Sequence, residues 1–132
     1  MTARLVASDV VVGLVRALAD RGITGFDGRP GRVDSAFLAV YEALEAGLAG
    51  RHGLDVRFVV RPDRLHGISR TAQEALGLAV SLRLLHPTGG SYSLDPARVR
   101  RTVGYEHLPG APALYLEMAE VFVEALRSAP AT

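Results

Sequence analysis

The segment between Thr71 and Pro87 constrains the fold more than any other part of the chain. Thr71, followed three residues later by Glu74, fits a helix-capping box, and His86 with Pro87 predicts the end of the same helix. A helix that is apolar on most of its sides belongs in the centre of a core or in a subunit interface. We therefore predict a central or interface helix over residues 71–85. Its apolar residues are Leu76, Leu78, Ala79, Val80, Leu82, Leu84 and Leu85.

Two amphipathic patterns precede this segment and predict two helices. The first covers residues 9–21, with Ser8 as its N-cap, and the second covers residues 34–50, with Asp34 or Ser35 as its cap. The sequence GFDGRPGR between them holds three glycines and one proline, so it cannot continue a helix. It is either a binding loop or a plain connector whose aromatic residue fills the core.

The C-terminal part of the chain predicts two more helices. Asp95 followed by Pro96 is a strong helix start and predicts a short basic helix over residues 97–103. A further amphipathic pattern predicts a helix over residues 112–127. The Thr-Gly-Gly sequence at residues 88–90 predicts a turn that leads into a short strand over residues 91–94.

The period of the apolar pattern changes to two between Val56 and Val60, which predicts a strand. A turn at residues 61–64 and a returning strand over residues 65–69 would complete a hairpin. Because a lone hairpin is marginal in water, it must pack on helices, on a third strand or on a partner chain. The predicted fold class is α+β, a mostly helical single domain over residues 1–132 with a small antiparallel β-hairpin, and we expect it to be dimeric.

Composition excludes several chemistries. The chain has 132 residues and no cysteine, and all of its 15 basic residues are arginine, so thiolate and Schiff-base catalysis are excluded. The formal net charge of +1 makes nucleic acid an unlikely partner. The apolar run over residues 10–15 is too short for a signal peptide, and no run reaches the ~18 residues of a membrane span. We expect a cytoplasmic protein with no membrane partner.

A metal site and an organic cofactor are both expected to be absent. No two of the histidines lie three or four residues apart, and no HExxH motif occurs. None of the serines lies in a GxSxG motif, and no phosphate-binding glycine loop is present.

Three polar clusters remain as candidate sites. From residue 51 to residue 70 there are five arginines and two aspartates, and arginines at such a site can hold a carboxylate or a phosphate. A solvated strand face is the alternative explanation for these arginines. The consecutive Tyr105, Glu106 and His107 offer acid–base groups, or they form a plain surface loop. The first cluster consists of Phe26, Asp27, Arg29 and Arg32, the second of Arg57, Arg61, Asp63, Arg64, His66 and Arg70, and the third of Arg100, Arg101, Tyr105, Glu106 and His107.

The arrangement of these parts resembles a known family. Two helices joined by GFDGRPGR, then RFVVRPDRLHGIS, then a buried helix and a short helical C-terminal half, resemble the small lysinoalanine-forming accessory enzymes of cinnamycin- and duramycin-type lanthipeptide pathways. A lysine-free, cysteine-free chain of this length is also typical of a high-GC actinobacterial protein.

The resemblance implies a cofactor-independent enzyme that adds a lysine amine of a modified precursor peptide to a dehydroalanine. It also implies a homodimer, and a substrate carboxylate that helps to move the proton, so that the protein mainly positions its substrate. We place the site between the loop around residues 26–29 and the segment over residues 61–70. The candidate catalytic residues are Asp27, Asp63, Glu106 and His107, and the candidate substrate-binding residues are Phe26, Arg29, Arg61, Arg64, His66, Arg70 and Tyr105.

Two other function classes remain open. Residues 71–99 also read as a recognition helix, a Gly-Gly turn and a short strand, which is the pattern of a winged-helix DNA-binding regulator. In that case Arg98, Arg100 and Arg101 would contact phosphate. Against it, the helix lacks the Arg, Asn and Gln side chains that read bases, so we expect no tight sequence-specific DNA binding. The third class is a non-catalytic homodimeric binding module that uses the apolar helix as its interface.

Overall fold

The computed structural model describes residues 3–128, which form six α-helices and five short strands. A π-helical turn over Leu44–Leu48 joins α2 to α3, and a 3-10 turn covers Tyr105–His107. The helices are α1 (Ala7–Asp20), α2 (Arg32–Ala43), α3 (Ala49–Arg51), α4 (Arg70–Ser81), α5 (Pro96–Thr102) and α6 (Pro112–Ser128). The strands are β1 (Ala3–Leu5), β2 (Gly25–Asp27), β3 (Leu54–Val56), β4 (His86–Thr88) and β5 (Ser91–Ser93).

Helix α1 lies at the centre of the fold, packed against α4, α5 and α6, while α2 packs against α6. Its residues Val11, Leu14 and Leu18 are almost completely buried. A Cβ atom on Gly13 would lie only 2.1 Å from the ring of the buried Tyr115. Glycine at this position therefore allows α1 and α6 to approach each other closely, since any larger side chain would collide with the ring.

The antiparallel sheet has the strand order β2-β5-β4, with Tyr92 of β5 between Phe26 of β2 and Pro87 of β4. Strands β4 and β5 form a hairpin around Gly89 and Gly90, both of which have positive φ angles that favour glycine. From α1 to β5 along the chain, the strands of this sheet and the longer helices follow the order α1, β2, α2, α4, β4, β5. This topology determines which loops meet at the candidate site.

The predicted hairpin over residues 56–69 is wrong, because the antiparallel hairpin is β4–β5. Strand β3 pairs in parallel with β1, so that Leu5 lies opposite Val56, and the chain then leaves the sheet. The alternating pattern is nevertheless real, since Val60 is buried and Phe58 packs on the ring of Tyr41 at 5.6 Å. An extended segment that lies on helices shows the same period of two as a paired strand.

The prediction of a helix at α4 is correct, but both of its predicted ends are wrong. The helix begins at Arg70, because the Ser69 hydroxyl accepts a hydrogen bond from the Ala72 amide at 3.3 Å. It ends at Ser81, and His86 with Pro87 belong to β4 instead of terminating the helix. Nor is the helix buried on most of its sides, since Glu74, Gly77 and Ser81 form an exposed face. Its buried residues are Ala72, Ala75, Leu76 and Ala79.

Two other helix starts lie earlier than the sequence predicts. Helix α1 begins at Ala7, and Asp9 accepts a weak hydrogen bond from the Val6 amide at 3.5 Å. Helix α2 begins at Arg32, because Gly31 with a φ of +90° provides the turn into it. The prediction that Asp95 caps α5 is confirmed, as its carboxylate accepts hydrogen bonds from two amides of that helix.

The α+β fold class is confirmed as a mostly helical domain with a small antiparallel sheet. Within residues 3–128, none of the helices has both the length and the apolar character needed to cross a membrane.

Candidate functional site

Two loops that are far apart in the sequence meet at the N-terminus of α4. One is the loop over residues 27–32 and the other is the turn over residues 63–68. A Cβ atom built on Gly31 would lie 3.2 Å from the carbonyl oxygen of His66, and one built on Gly67 would lie 3.7 Å from the Cα atom of Gly31. The first and second polar clusters are therefore adjacent, at the place where the sequence predicted a site.

The carboxylate of Asp34 holds this junction together. It accepts hydrogen bonds from the amide of Gly31 at 2.9 Å and from the amide of Ser69 at 2.7 Å. The side-chain amide of Gln73 on α4 donates to both of its oxygens, at 3.0 and 3.2 Å. Asp34 is completely buried, so these donors replace the water that a carboxylate needs. It fixes the start of α2 against the start of α4.

The β4–β5 turn lies on the same side of the molecule. The Gly28 amide donates to the carbonyl of Gly90 at 3.0 Å, and a Cβ atom on Gly90 would lie 3.6 Å from Cγ of Arg29. The turn therefore contacts the loop over residues 27–32. We call the surface formed by Arg29, Arg61, Arg64, His66 and Arg70, together with the β4–β5 turn, the arginine face.

The arginines of this face differ in how far they are neutralised. Arg29 forms an ion pair with Asp27 at 2.8 Å, and the exposed Arg70 pairs with Glu74 at 3.2 Å. Arg61 and Arg64 are exposed, and their side chains have no hydrogen bond or ion pair within the described residues. Arg61 and Arg64 therefore carry the positive charge that remains available to a ligand.

The carboxylate of Asp63 shapes the turn that presents Arg64 and His66. It accepts hydrogen bonds from the amides of His66 and of Gly67, the latter at 3.1 Å. These bonds, led by the one from His66, hold the pKa of Asp63 below its usual value. A carboxylate engaged in this way keeps its charge and is a weak base, so its role here is to close the turn.

Asp27 is also engaged with its neighbours. The hydrogen bonds from the Arg29 side chain are the main reason why its pKa is lowered to about 2. Arg32 approaches the same carboxylate at 3.4 Å. Asp27 therefore remains ionised at neutral pH and serves to orient Arg29 rather than to accept a proton.

Phe26 belongs to an aromatic row that connects the sheet to the core. Its ring lies 5.6 Å from that of Tyr92 on β5 and 5.2 Å edge-on from that of Phe122 on α6. The side chain is half-buried, in agreement with the view that the loop aromatic packs on the core. The backbone of β2, and with it the start of the loop over residues 27–32, is anchored by this contact.

The third cluster is attached to a different part of the molecule, the contact between α1 and α5. The Tyr105 hydroxyl donates to Asp20 at 2.6 Å, and the guanidinium of Arg16 lies 4.7 Å from the centre of the Tyr105 ring. Burial and the bond to Asp20 raise the pKa of Tyr105, so this hydroxyl keeps its proton. Glu106 and His107 are exposed, with 3.6 Å between His107 Nε2 and Glu106 Oε1.

The structure thus brings the loop that carries Asp27 next to the turn that carries Asp63. Glu106 and His107 instead follow Tyr105, which is held by α1. Gln73 was not among the predicted site residues, and Asp34 was predicted only as a helix cap. No local pattern indicates that a buried carboxylate joins α2 to α4. The Arg16–Asp20 pair, at a spacing of four residues, was visible in the sequence and marks the contact at α1.

A shallow groove of about 660 Å³ runs beside the arginine face. In residues 3–128 no group of three His, Asp or Glu side chains is arranged to hold a metal ion. The groove is lined by Arg61, Asp63, Ile68, Arg70, Gln73 and Glu74.

Comparison with known proteins identifies no relative. Neither a protein-family model nor a curated protein nor a solved structure matches this chain. The topology and the arginine face are therefore the observations that bear on function.

Proposed function

We propose that this chain is a winged-helix module that binds the backbone of double-stranded DNA through the arginine face. The observation that carries the proposal is topological. A winged-helix domain runs helix, strand, helix, helix, strand, strand, and its last strand lies in the middle of the sheet. The order α1, β2, α2, α4, β4, β5 with the sheet order β2-β5-β4 follows that scheme.

In this assignment α4 is the recognition helix and the β4–β5 turn is the wing. DNA-binding domains of this type present the N-terminal part of the recognition helix to the major groove. Here the N-terminus of α4 lies beside the loop over residues 27–32, which in turn contacts the wing. The arginine face therefore coincides with the surface that such a domain turns toward DNA.

One departure from the scheme is the long connection between the second and third helices. Residues 52–69 take the place of the short turn of a helix-turn-helix, and they contribute β3 and the turn that carries Arg64. The insertion leaves the packing of α2 on α4 intact, because Asp34 of α2 bonds to Ser69 and Gln73. It adds two unpaired arginines to the proposed DNA surface.

The expected mode of binding is electrostatic, with little reading of bases. The exposed positions of α4 are Arg70, Glu74, Gly77 and Ser81, and only Arg70 is of the type that most often reads a base. Nucleic acid was an unlikely partner on net charge alone. The proposal departs from that expectation because the charge of +1 is an average over the whole chain, whereas Arg61 and Arg64 are concentrated on one face. Salt-resistant, sequence-specific binding is still not expected.

The proposal is tested by fluorescence anisotropy with a short labelled duplex at several salt concentrations. Each phosphate that is neutralised contributes about −0.9 to the slope of log K against log salt. If Arg29, Arg61, Arg64 and Arg70 all contact phosphate, the slope is about −3.6. The double variant Arg61→Ala with Arg64→Ala reduces the magnitude of the slope by about 2 and weakens binding to all sequences alike.

The matched control is Arg51→Ala. Arg51 is also an exposed arginine, but it lies at the end of α3 and pairs with Glu117 on α6 at 3.3 Å. Its removal changes the net charge by the same amount per residue and leaves the slope unchanged. Absence of binding at low salt, or equal losses in the control and in single arginine-face variants, overturns the proposal.

A second candidate function is the lysinoalanine-forming activity that the family resemblance implies. The groove beside the arginine face supports it, because Glu74 could hold a peptide ammonium there while Arg61 holds a peptide carbonyl. In the reaction, the lysine nitrogen bonds to the dehydroalanine methylene and its proton passes to the neighbouring carbon. A dehydrated, thioether-bridged precursor whose lysine resists acylation only after incubation with the protein supports this activity, and an unchanged lysine contradicts it.

A further inference from the structure

The arginine face contains one apolar side chain that the fold leaves in water. Among residues 3–128, Leu65 is the most exposed large apolar residue, with 83% of its surface accessible. A single leucine at a surface is ordinary, so its exposure alone assigns no role. Its position is more informative, because it lies in the middle of the turn over residues 63–68, between Arg64 and His66.

This turn has a fixed shape before any ligand binds. The Asp63 amide donates to the carbonyl of Ile68 at 2.9 Å, and the Gly67 amide donates to the carbonyl of Asp63 at 3.0 Å. The Asp63 carboxylate accepts further hydrogen bonds from the amides of His66 and Gly67. Gly67, with a φ of +67°, allows the chain to reverse. A ligand therefore meets Leu65 on a backbone that it does not have to order.

The surroundings of Leu65 indicate what kind of ligand could use it. A free phosphate would bind Arg61 and Arg64 and leave Leu65 in water. A DNA duplex offers both an anionic backbone and, within it, the apolar faces of stacked bases. An anionic membrane also combines charge with an apolar interior, but a membrane-binding surface presents a broad apolar face. Here the neighbours of Leu65 in the turn are Asp63, Arg64 and His66, so DNA is the better match.

We infer that Leu65 inserts between base pairs from the minor groove and bends the duplex, an inference that rests on the DNA binding proposed above. The turn over residues 63–68 directly precedes Arg70, the first residue of α4. With the start of α4 in the major groove, this turn lies at the phosphate backbone that separates the two grooves. Arg61 and Arg64 contact those phosphates, and Leu65 reaches past them. Apolar wedges of this kind unstack one base step and kink the duplex toward the major groove.

The inference specifies which DNA binds most tightly, namely duplexes that kink easily. Pyrimidine–purine steps such as TA unstack at low cost, whereas A-tracts are stiff. A wedge therefore makes the affinity depend on how readily the DNA deforms. The protein can in this way distinguish sequences although α4 exposes few side chains that read bases.

The experiment measures bending by energy transfer between dyes at the two ends of short duplexes at low salt, one duplex with a central TA step and one with an A-tract. We expect the wild type to bend the TA duplex by about 20° or more and to bind it more tightly than the A-tract. Leu65→Ala abolishes the bend, weakens binding to the TA duplex about tenfold and removes the preference. Leu65→Met keeps a long apolar side chain and retains the bend.

The matched control is Leu82→Ala, which makes the same change at a leucine that is 50% exposed and follows the opposite end of α4. It leaves the bend and the affinity unchanged. Circular dichroism confirms that each variant is folded.

The possible failures can be told apart. Absence of binding to either duplex by the wild type overturns both the proposed function and this inference. Salt-dependent binding without a bend, or a bend that survives Leu65→Ala, overturns the inference alone and leaves the proposed function standing. Binding to phosphatidylglycerol vesicles that depends on Leu65, with no bending of DNA, assigns the turn to a membrane and also overturns the inference.

Discussion

Arginine has opposite roles in two regions of this molecule. At the contact between α1 and α5, the guanidinium groups of Arg16 and Arg100 donate hydrogen bonds to other groups of the protein. On the arginine face, Arg61 and Arg64 have no partner within the described residues. Arg16 and Arg100 are therefore structural residues, whereas Arg61 and Arg64 have charge left to bind a ligand.

At the contact between α1 and α5, an arginine from each helix donates hydrogen bonds to backbone carbonyls at the end of the other helix. We call these two reciprocal interactions the clasp. Arg16 donates to the carbonyls of Val103 and, at 3.2 Å, of Arg100, and it pairs with Asp20 at 3.2 Å. Arg100 donates in return to the carbonyl of Ala19 at 3.0 Å. These carbonyls lie near helix ends, where they lack partners within their own helix. The clasp therefore satisfies helix ends and joins two helices.

The comparison shows that a count of charges does not identify a binding surface. Arg98, Arg100 and Arg101 would contact phosphate in the winged-helix interpretation of the sequence, yet the guanidinium of Arg100 is bonded to a carbonyl of α1. On the arginine face, Arg61 comes from an extended segment and Arg64 from a turn. What distinguishes the two regions is whether a carbonyl or a carboxylate lies within reach of the guanidinium.

The largest effect is expected at the carboxylate that supports the arginine face. Asp34→Ala leaves the amides of Gly31 and Ser69 and the side chain of Gln73 without an acceptor in a buried position. We expect a loss of about 3 kcal/mol in the free energy of unfolding, measured by urea titration. Asp34→Asn keeps one oxygen acceptor and costs less. Equal, small losses for both variants would show that the junction does not depend on this carboxylate.

The next effect tests the clasp. Arg16→Ala removes the bonds to two carbonyls and to Asp20, together with the contact over Tyr105, and we expect a loss of about 2 kcal/mol. Arg64→Ala removes no contact within the described residues and should change the free energy of unfolding by less than about 0.5 kcal/mol. For DNA affinity we expect the reverse: Arg64→Ala weakens binding, and Arg16→Ala has the smaller effect. If both variants destabilise equally, the contrast between the two regions fails.

The smallest effect concerns the pH dependence of the Asp27–Arg29 pair. The pKa of Asp27 is lowered to about 2 in the folded protein, so its contribution to stability is full above the ordinary value of 3.8 and disappears as the pH falls through about 2. Arg29 is more than half exposed, so solvent screening keeps this contribution small. The difference in unfolding free energy between wild type and Asp27→Asn should therefore shrink over that pH range. A constant difference contradicts the assignment.

Much of the helical framework was predictable because its signals are local. The Asp95 cap and the period of apolar residues in α1 and α6 depend on neighbours within one or two turns. The starts of α2 and α4 were missed because Gly31 adopts a positive φ and Ser69 bonds to Asp34, and both depend on a second segment. The candidate site was predicted in part: Asp27, Arg29, Arg61 and Arg70 lie around one junction, whereas Tyr105 is held by α1.

By itself the sequence determined an α+β domain of amphipathic helices, with no cysteine and with arginine as its only basic side chain other than histidine. These properties follow from local periodicity and composition. Only the tertiary structure decided that β3 pairs with β1, that β5 lies between β2 and β4, and that Asp34 joins two helices. The reason is that strand pairing and buried hydrogen bonds connect residues far apart in the chain, and their energy depends on which groups the packed helices bring within bonding distance.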